Sequence, residues 1–251
     1  MEINKIRLAG RVVEVTTCCA GFGVFVEDYL TQDAADMAVR ITPDAIAEER
    51  KRAEKEAEFE GIPMRDHTDA YLEQLAVLRS IALEMTQYDT LLMHGSCIAV
   101  DGEAYLFAAR SGTGKSTHTR LWRERFGSRA VMVNDDKPFV RVEDGAGIAF
   151  GTPWNGKHHL STPMQAKLKA LCILKRGEEN RIEQLTAAEA YPHVLAQCNR
   201  PENPQALMKT MQLCDALVKN TPVYCLYCNM DPDAARVSYE MMSKEGMKNE
   251  A

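Results

Sequence analysis

The sequence predicts an α/β domain built on a mixed sheet, with an α+β extension ahead of it. Three observations lead there. A glycine-rich loop, Ser111-Gly-Thr-Gly-Lys-Ser-Thr117, stands between an apolar strand-like run and a helical run. Just upstream, Asp101-Gly102 separates two apolar runs, a strong hairpin signal, so the strand that reaches the loop pairs antiparallel with its predecessor. The first 88 residues differ, with short alternating runs followed by two helical stretches. These shifts set the expected boundaries: an extension over 1–88 packed on the core, a loop-bearing domain over 89–242, and a charged tail over 243–251.

Within the extension, apolar residues at 6–8, 12–15, 22–26 and 37–41, separated by Gly, Asp and Thr, read as a small β layer. Pro43 opens a charged helical stretch over 44–58, read as a solvated helix, and Gly61-Ile62-Pro63 ends it. Tyr71, Leu72, Leu75, Leu78, Ile81 and Ala82 recur at helical spacing and give an amphipathic helix over 69–84. From Leu91 the pattern turns to strands, with 96–100 and 103–108 flanking the Asp-Gly turn and a helix over 117–126 behind the loop. A buried strand over 130–133 ends at Asn134-Asp135-Asp136. A second hairpin over 138–150 leads into the loop Gly151-Thr-Pro-Trp-Asn-Gly-Lys157. A strand over 168–174 follows, then the capping box Thr186-Ala-Ala-Glu189. A helix over 203–218, with Leu207, Met208, Met211, Leu213 and Leu217 as core, and a strand over 224–227 complete the series.

The 251 residues carry a formal net charge of −6, which argues against a general nucleic-acid binder, since such a surface must displace counterions with Lys and Arg. No apolar run reaches the length of a membrane span, and the first residues lack a signal-peptide layout, so a cytoplasmic location is expected. The eight cysteines are scattered. Cys225-Leu-Tyr-Cys228 lies in a strand-like run without a second pair or histidines at zinc spacing, so these residues read as reduced core thiols.

The loop text is a phosphate cradle. Glycines let consecutive N–H groups face a polyphosphate, Lys115 reaches its outer phosphates, and the Ser116 hydroxyl suits Mg²⁺. Ser111, Gly112, Thr113, Gly114, Lys115, Ser116 and Thr117 are therefore the expected nucleotide contacts. The full Walker A pattern asks for a further glycine where this chain has Ala109. Asp135 and Asp136, at the end of an apolar strand, offer one carboxylate for the metal and one to accept a proton from an attacking hydroxyl. Strand alternation points the two in different directions unless the chain turns there, and the sequence leaves open which does which. In the 152–157 loop Trp154 offers a stacking face and Lys157 a mobile cation, and a tight turn anchored in the core by Trp154 stays equally open; Arg200 reads as a solvated loop residue. For His118 and Thr119, on the loop helix, nucleotide contact and packing both stay open.

His94-Gly95, a hairpin, the loop Ser111-Gly-Thr-Gly-Lys-Ser116 and a strand ending in Asp135-Asp136 together resemble the catalytic core of HPr kinase/phosphorylase, and more distantly ATP-dependent phosphoenolpyruvate carboxykinase. The resemblance implies an α/β P-loop domain of that type. It implies that Lys115 and Ser116 bind triphosphate and Mg²⁺, that Asp135 and Asp136 supply metal ligand and base, and that His94 lies near the transferred phosphoryl group. The Gly151–His159 text is unlike the acceptor region of HPr kinase, and the carboxykinase substrate-binding motifs are not recognisable, so the expected activity is a kinase with its own acceptor. ATP, or another nucleoside triphosphate, and Mg²⁺ are the expected cofactors, and a hydroxyl on a protein, peptide or small molecule is the acceptor. The alternatives are an ATP-hydrolysing or a non-catalytic nucleotide-sensing protein of the same fold. Self-association follows from the resemblance alone.

Overall fold

The computed structural model describes residues 1–61, 63, 65–110 and 112–244. The chain divides into two compact units, Met1–Glu84 and Met85–Ala251.

In the first unit, β1 (Glu2–Leu8) and β2 (Arg11–Thr17) pair antiparallel across Ala9-Gly10. Both turn residues have positive φ, 44° and 75°, the backbone a two-residue hairpin needs to follow strand twist. β3 (Met37–Arg40) adds parallel to β2. The apolar run at 22–26, expected as a strand, is instead the short helix α1 (Phe22–Phe25). Its start is fixed by the Glu2 carboxylate, which accepts the Phe22 N–H at 3.0 Å, and Phe22 and Phe25 meet on one face with ring centroids 6.1 Å apart.

Helix α2 (Pro43–Glu60) is capped by Thr42, whose side chain accepts the Ala45 N–H. It is not solvated all round, because Ile46 and Glu49 are buried on its inner side. Glu49 receives a forked pair of hydrogen bonds, 2.5 and 3.1 Å, from Arg79 on α3 (Asp69–Met85). Glu73, also on α3 and 2% exposed, accepts the backbone N–H groups of both Cys18 and Cys19. Of the expected break after α2, Gly61 is the left-handed cap, while residue 62 lies outside the described residues.

The second unit begins with β4 (Thr90–Leu92), β5 (Ser96–Val100), β6 (Glu103–Ala108), helix α4 (Lys115–Phe126) and β7 (Ala130–Asn134). Then come β8 (Phe139–Glu143), β9 (Ala146–Phe150), β10 (Gln165–Arg176), β11 (Arg181–Leu185), α5 (Ala187–Leu195), α6 (Pro204–Asn220), β12 (Val223–Cys228) and α7 (Asp233–Met242). Among the described residues these strands form one mixed sheet in the order β4-β8-β9-β10-β6-β5-β7, with β12 also on β10 and β11 on β12. The expected hairpins form: β5 and β6 pair antiparallel across Asp101-Gly102, and β8 and β9 across Asp144-Gly145, all four residues having positive φ. β10 is long enough to serve two partners on one edge, antiparallel to β9 at its start and parallel to β12 at its end. Its other edge lies parallel to β6.

Alternation along β6 sorts the core. Ala104, Leu106 and Ala108 face a layer with Ala190 and Val194 of α5 and Leu213, Cys214 and Leu217 of α6. Tyr105 and Phe107 face Leu121 and Trp122 of α4 and Ala234, Ala235 and Met242 of α7. Both faces of the sheet are thus covered, and its central strands read as continuous apolar runs. The expected capping box forms at Thr186, and α6 is capped by Asn203; of the α6 residues expected in the core, Leu213 and Leu217 are buried, whereas Met208 and Met211 lie on its outer face and are exposed. β11 and α7 carry no sequence expectation. β11 is a partly exposed edge strand with no apolar run, and its pairing with β12 defines it. From residue 245 the expected tail lies outside the described residues.

Replacing Glu73 by Leu removes the acceptor for two loop amides. The expected outcome is a loss of about 1–3 kcal/mol in urea unfolding, with the denaturant slope unchanged. An unaltered midpoint would show that the carboxylate is dispensable.

Candidate active site

Two sequence features meet where β6 and β7 end. From β6 the chain passes through Ala109 into the loop, where Gly112 and Gly114 have φ of 72° and 118°, a region open to glycine and strained for other residues. Gly114 is the N-cap of α4, so the loop amides and the free N–H groups of the first helical turn share one place. Ser111, expected to contact phosphate, lies outside the described residues. Ala109 does not have positive φ, so nothing in its backbone calls for the glycine of the full pattern. Its carbonyl oxygen accepts a hydrogen bond from Lys115 Nζ at 3.2 Å. Burial lowers the Lys115 pKa, while the Asp136 charge pulls it back up. From the other side, Arg176 at the end of β10 donates through Nη2 to the Gly112 carbonyl at 2.8 Å.

At the end of β7 the organising residue is Asn134, fully buried. Its Oδ1 accepts the N–H groups of Asp136 (2.8 Å) and Lys137 (2.6 Å). Its Nδ2 donates to the Thr152 carbonyl (2.9 Å) and hydroxyl (3.0 Å), and reaches the Trp154 carbonyl at 3.3 Å. This side-chain turn ends the strand and sends the two aspartates different ways.

Asp135, 5% exposed, accepts a 2.5 Å hydrogen bond from Ser96 Oγ. Ser96 Oγ lies 3.0 Å from Thr119 Oγ1, which in turn bonds the Lys115 carbonyl at 3.3 Å. Asp135 is therefore linked through Ser96 to Thr119, on the N-terminal part of α4. Asp136 turns the other way, with His94 Nε2 3.3 Å and Lys137 Nζ 3.7 Å from its Oδ1. Burial alone would raise its pKa, but the His94 hydrogen bond and the charges of Lys137 and Lys115 outweigh that, and Asp136 sits below the usual carboxylate value.

His94 is itself tied down, its N–H bonded to Gln197 O at 2.7 Å, while Gly95 N–H reaches the Asp136 carbonyl at 3.0 Å. The 151–159 loop closes against the same residue: Gly156 packs so near that a Cβ there would lie 3.1 Å from Asp136 Cβ. Lys157 is on that turn with its side chain exposed; Trp154 is buried.

His118 and Thr119 both pack inward. Thr119 belongs to the Asp135 cluster, and His118, 3% exposed, bonds through Nε2 to Trp122 and Ser238, each at 3.1 Å. Sequence reasoning missed Ser96, Asn134 and Arg176. Ser96 opens an apolar strand, Arg176 closes one, and Asn134 reads as a strand end, so none carries a signal before its partners are known.

These features define the class as a mixed α/β protein in which a glycine loop and a pair of divergent aspartates converge at the ends of central strands. Residues 62–232 match the family model described as SynChlorMet cassette protein ScmC. The chain belongs to the ScmC family. No curated protein matches it. Among solved structures, the HPr(Ser) kinase/phosphatase from Coxiella burnetii is similar at a TM-score of 0.36 and 11% identity, over 61% of this chain and 98% of that one.

Burial depresses the His118 pKa from 6.5 to about 3. The unfolded chain binds a proton between those values and the folded one does not, so stability rises with pH across that window and is lost as pH falls through it. Thermal melts from pH 7 to 4 are expected to show this loss, and His118→Gln is expected to flatten it. A slope unchanged by the substitution would assign the acid sensitivity elsewhere.

Proposed function

We propose that this protein is an ATP- and Mg²⁺-dependent phosphotransferase acting on a hydroxyl, with its second unit a P-loop domain of the HPr kinase/phosphoenolpyruvate carboxykinase type. One observation carries the reading: Asn134 divides adjacent carboxylates, setting Asp135 toward the helix that follows the glycine loop and Asp136 onto His94.

A triphosphate on Gly112, Thr113, Gly114 and Thr117 meets loop amides and the positive end of α4. Lys115 exchanges its bond to the Ala109 carbonyl for the outer phosphates, where its charge opposes the negative charge of the transferring group. Mg²⁺ prefers hard oxygens and few protein ligands alongside phosphates, which fits the Ser116 hydroxyl and the Asp135 carboxylate; when bound it neutralises phosphate charge.

On the opposite side Asp136, ionised at neutral pH, takes the proton of the acceptor hydroxyl as that oxygen bonds to the terminal phosphorus and the bond to the leaving nucleoside diphosphate breaks. His94 fixes the orientation of Asp136 and lies beside the transferred group. Lys137 and Lys157 add positive charge around the acceptor side. The acceptor itself is a protein, peptide or small molecule bearing a hydroxyl.

Incubation with γ-labelled ATP, Mg²⁺ and candidate hydroxyl acceptors tests the reading. Asp136→Asn is expected to lower transfer by about a hundredfold or more while nucleotide affinity stays near wild type. Lys115→Ala is expected to weaken binding and abolish transfer. Turnover that survives Asp136→Asn would remove the base from the reading; label lost only to water, with every acceptor, would favour hydrolysis.

A further inference from the structure

Charge is spread unevenly along this acidic chain. No Asp or Glu occurs from Ala104 to Arg123, the stretch that carries the glycine loop, nor from Gly145 to Gly177. A polyphosphate site accounts for the first absence. The second contains the 151–162 segment, which packs on Asp136 and not on the glycine loop.

That segment is laced onto the end of β7. Thr162 N–H donates to the Val133 carbonyl at 3.3 Å, and Asp135 N–H donates to the Leu160 carbonyl at 3.0 Å. Asn155 Nδ2 donates to Ser161 Oγ at 2.9 Å, and the Thr152 hydroxyl donates to the Lys137 carbonyl at 2.8 Å. Gly156 sits directly on Asp136, and the next three residues, Lys157, His158 and His159, are all exposed. Among the described residues none of the three has an ion-pair partner. Exposed cations elsewhere in this unit are neutralised close by, Arg120 by Glu124, Lys209 by Asp89, and Arg236 by Asp233 and Glu240. A fixed turn with an unpaired lysine and no carboxylate of its own keeps a positive potential facing outward beside Asp136.

The groups around Asp136 are open to the surface as well. The side chains of Asp136, His94 and Lys137 are 32%, 35% and 29% exposed. A chain laid across this rim brings its own side chains over the 157–159 turn. A compact molecule held at Asp136 leaves that turn unused.

We infer that the acceptor is a Ser or Thr hydroxyl in a polypeptide segment with acidic side chains beside it, recognised by Lys157 and the turn that carries it. The inference rests on the phosphotransfer reading and names the acceptor class for that same site. The hydroxyl oxygen bonds to the terminal phosphorus, its proton passes to Asp136, and the bond to the leaving nucleoside diphosphate breaks. The flanking carboxylates meet the turn outside the reacting centre, so they act on acceptor binding and encounter. Exposed charge pairs of this kind are worth about 1.5- to 5-fold each, and salt weakens them.

The full-length protein is assayed with γ-labelled ATP and Mg²⁺ on a degenerate serine-peptide library whose positions flanking the serine are fixed as Glu, Gln or Lys. Free hydroxy acids serve as the small-molecule arm. Glu flanks are expected to raise kcat/KM about tenfold over Gln flanks, mainly through KM, with the advantage fading as NaCl is added. Lys157→Glu is expected to shift the preference to Lys flanks, a change of sign that a merely destabilised protein would not show. Equal use of Glu and Lys flanks, or a preference for Glu that Lys157→Glu leaves intact, would overturn the inference and leave the phosphotransfer reading standing. So would transfer to a free hydroxy acid and to no peptide. Absence of transfer to every peptide and every hydroxy acid would overturn both together.

Discussion

A carboxamide buried at a strand end sets the geometry of the candidate site. Asn134 sits where β7 stops, at a position excluded from water, and its amide has to find all its partners within the protein. It finds them in two strokes. The oxygen takes the next backbone amides, folding residues 135–137 into a turn, and the nitrogen takes groups of the 152–154 loop. A continued strand would have placed successive carboxylates on opposite faces of the sheet, both covered by helices. The turn instead keeps Asp135 beside α4 and brings Asp136 out toward His94 and the 155–159 segment. The placement of both carboxylates therefore depends on the Asn134 side chain.

The loop is held by the same economy of buried contacts. β6 lies centrally in the sheet, between β5 and β10, and delivers the loop from a fully covered position. Helix α4 is anchored behind it through Trp122, which packs against Tyr105, Phe107, Phe126 and Tyr239 with ring centroids 4.9–5.6 Å apart. Such aromatic packing fixes the helix axis and hence the direction of its free N–H groups. Arg176 then ties the loop itself to the end of β10. Rigid elements thus position the loop backbone, with Lys115 at its rim bonded to the Ala109 carbonyl.

Much of this was legible in the sequence because it depends on local chemistry. Asp-Gly turns, the Thr186 capping box and the helical spacing of α3 each act over a few residues, and each forms as read; α6 forms where its spacing placed it, but Met208 and Met211, expected in its core, are exposed. The glycine loop and the aspartate pair were visible for the same reason. What escaped depends on partners distant in the chain. Phe22–Phe25 became helical because a carboxylate from β1 caps it. β11 exists through its pairing with β12. Ser96 acquires meaning only beside Asp135, and Arg176 only beside Gly112. Alternation applied to the aspartates only if the strand ran on through them, and it stops at Asn134, so the direction of each had to come from elsewhere. That follows from the Asn134 turn and the Ser96–Thr119 contact, which no spacing rule encodes.

The central claim is that the two aspartates hold separate roles, Asp135 toward the metal and Asp136 toward the acceptor. Nucleotide affinity measured with Mg²⁺ and with a chelator, in the wild type and in Asp135→Asn and Asp136→Asn, tests it most directly. The account predicts that the gain in affinity on adding Mg²⁺ is largely lost in Asp135→Asn and retained in Asp136→Asn. The same gain in both variants, or its loss in Asp136→Asn alone, would contradict it.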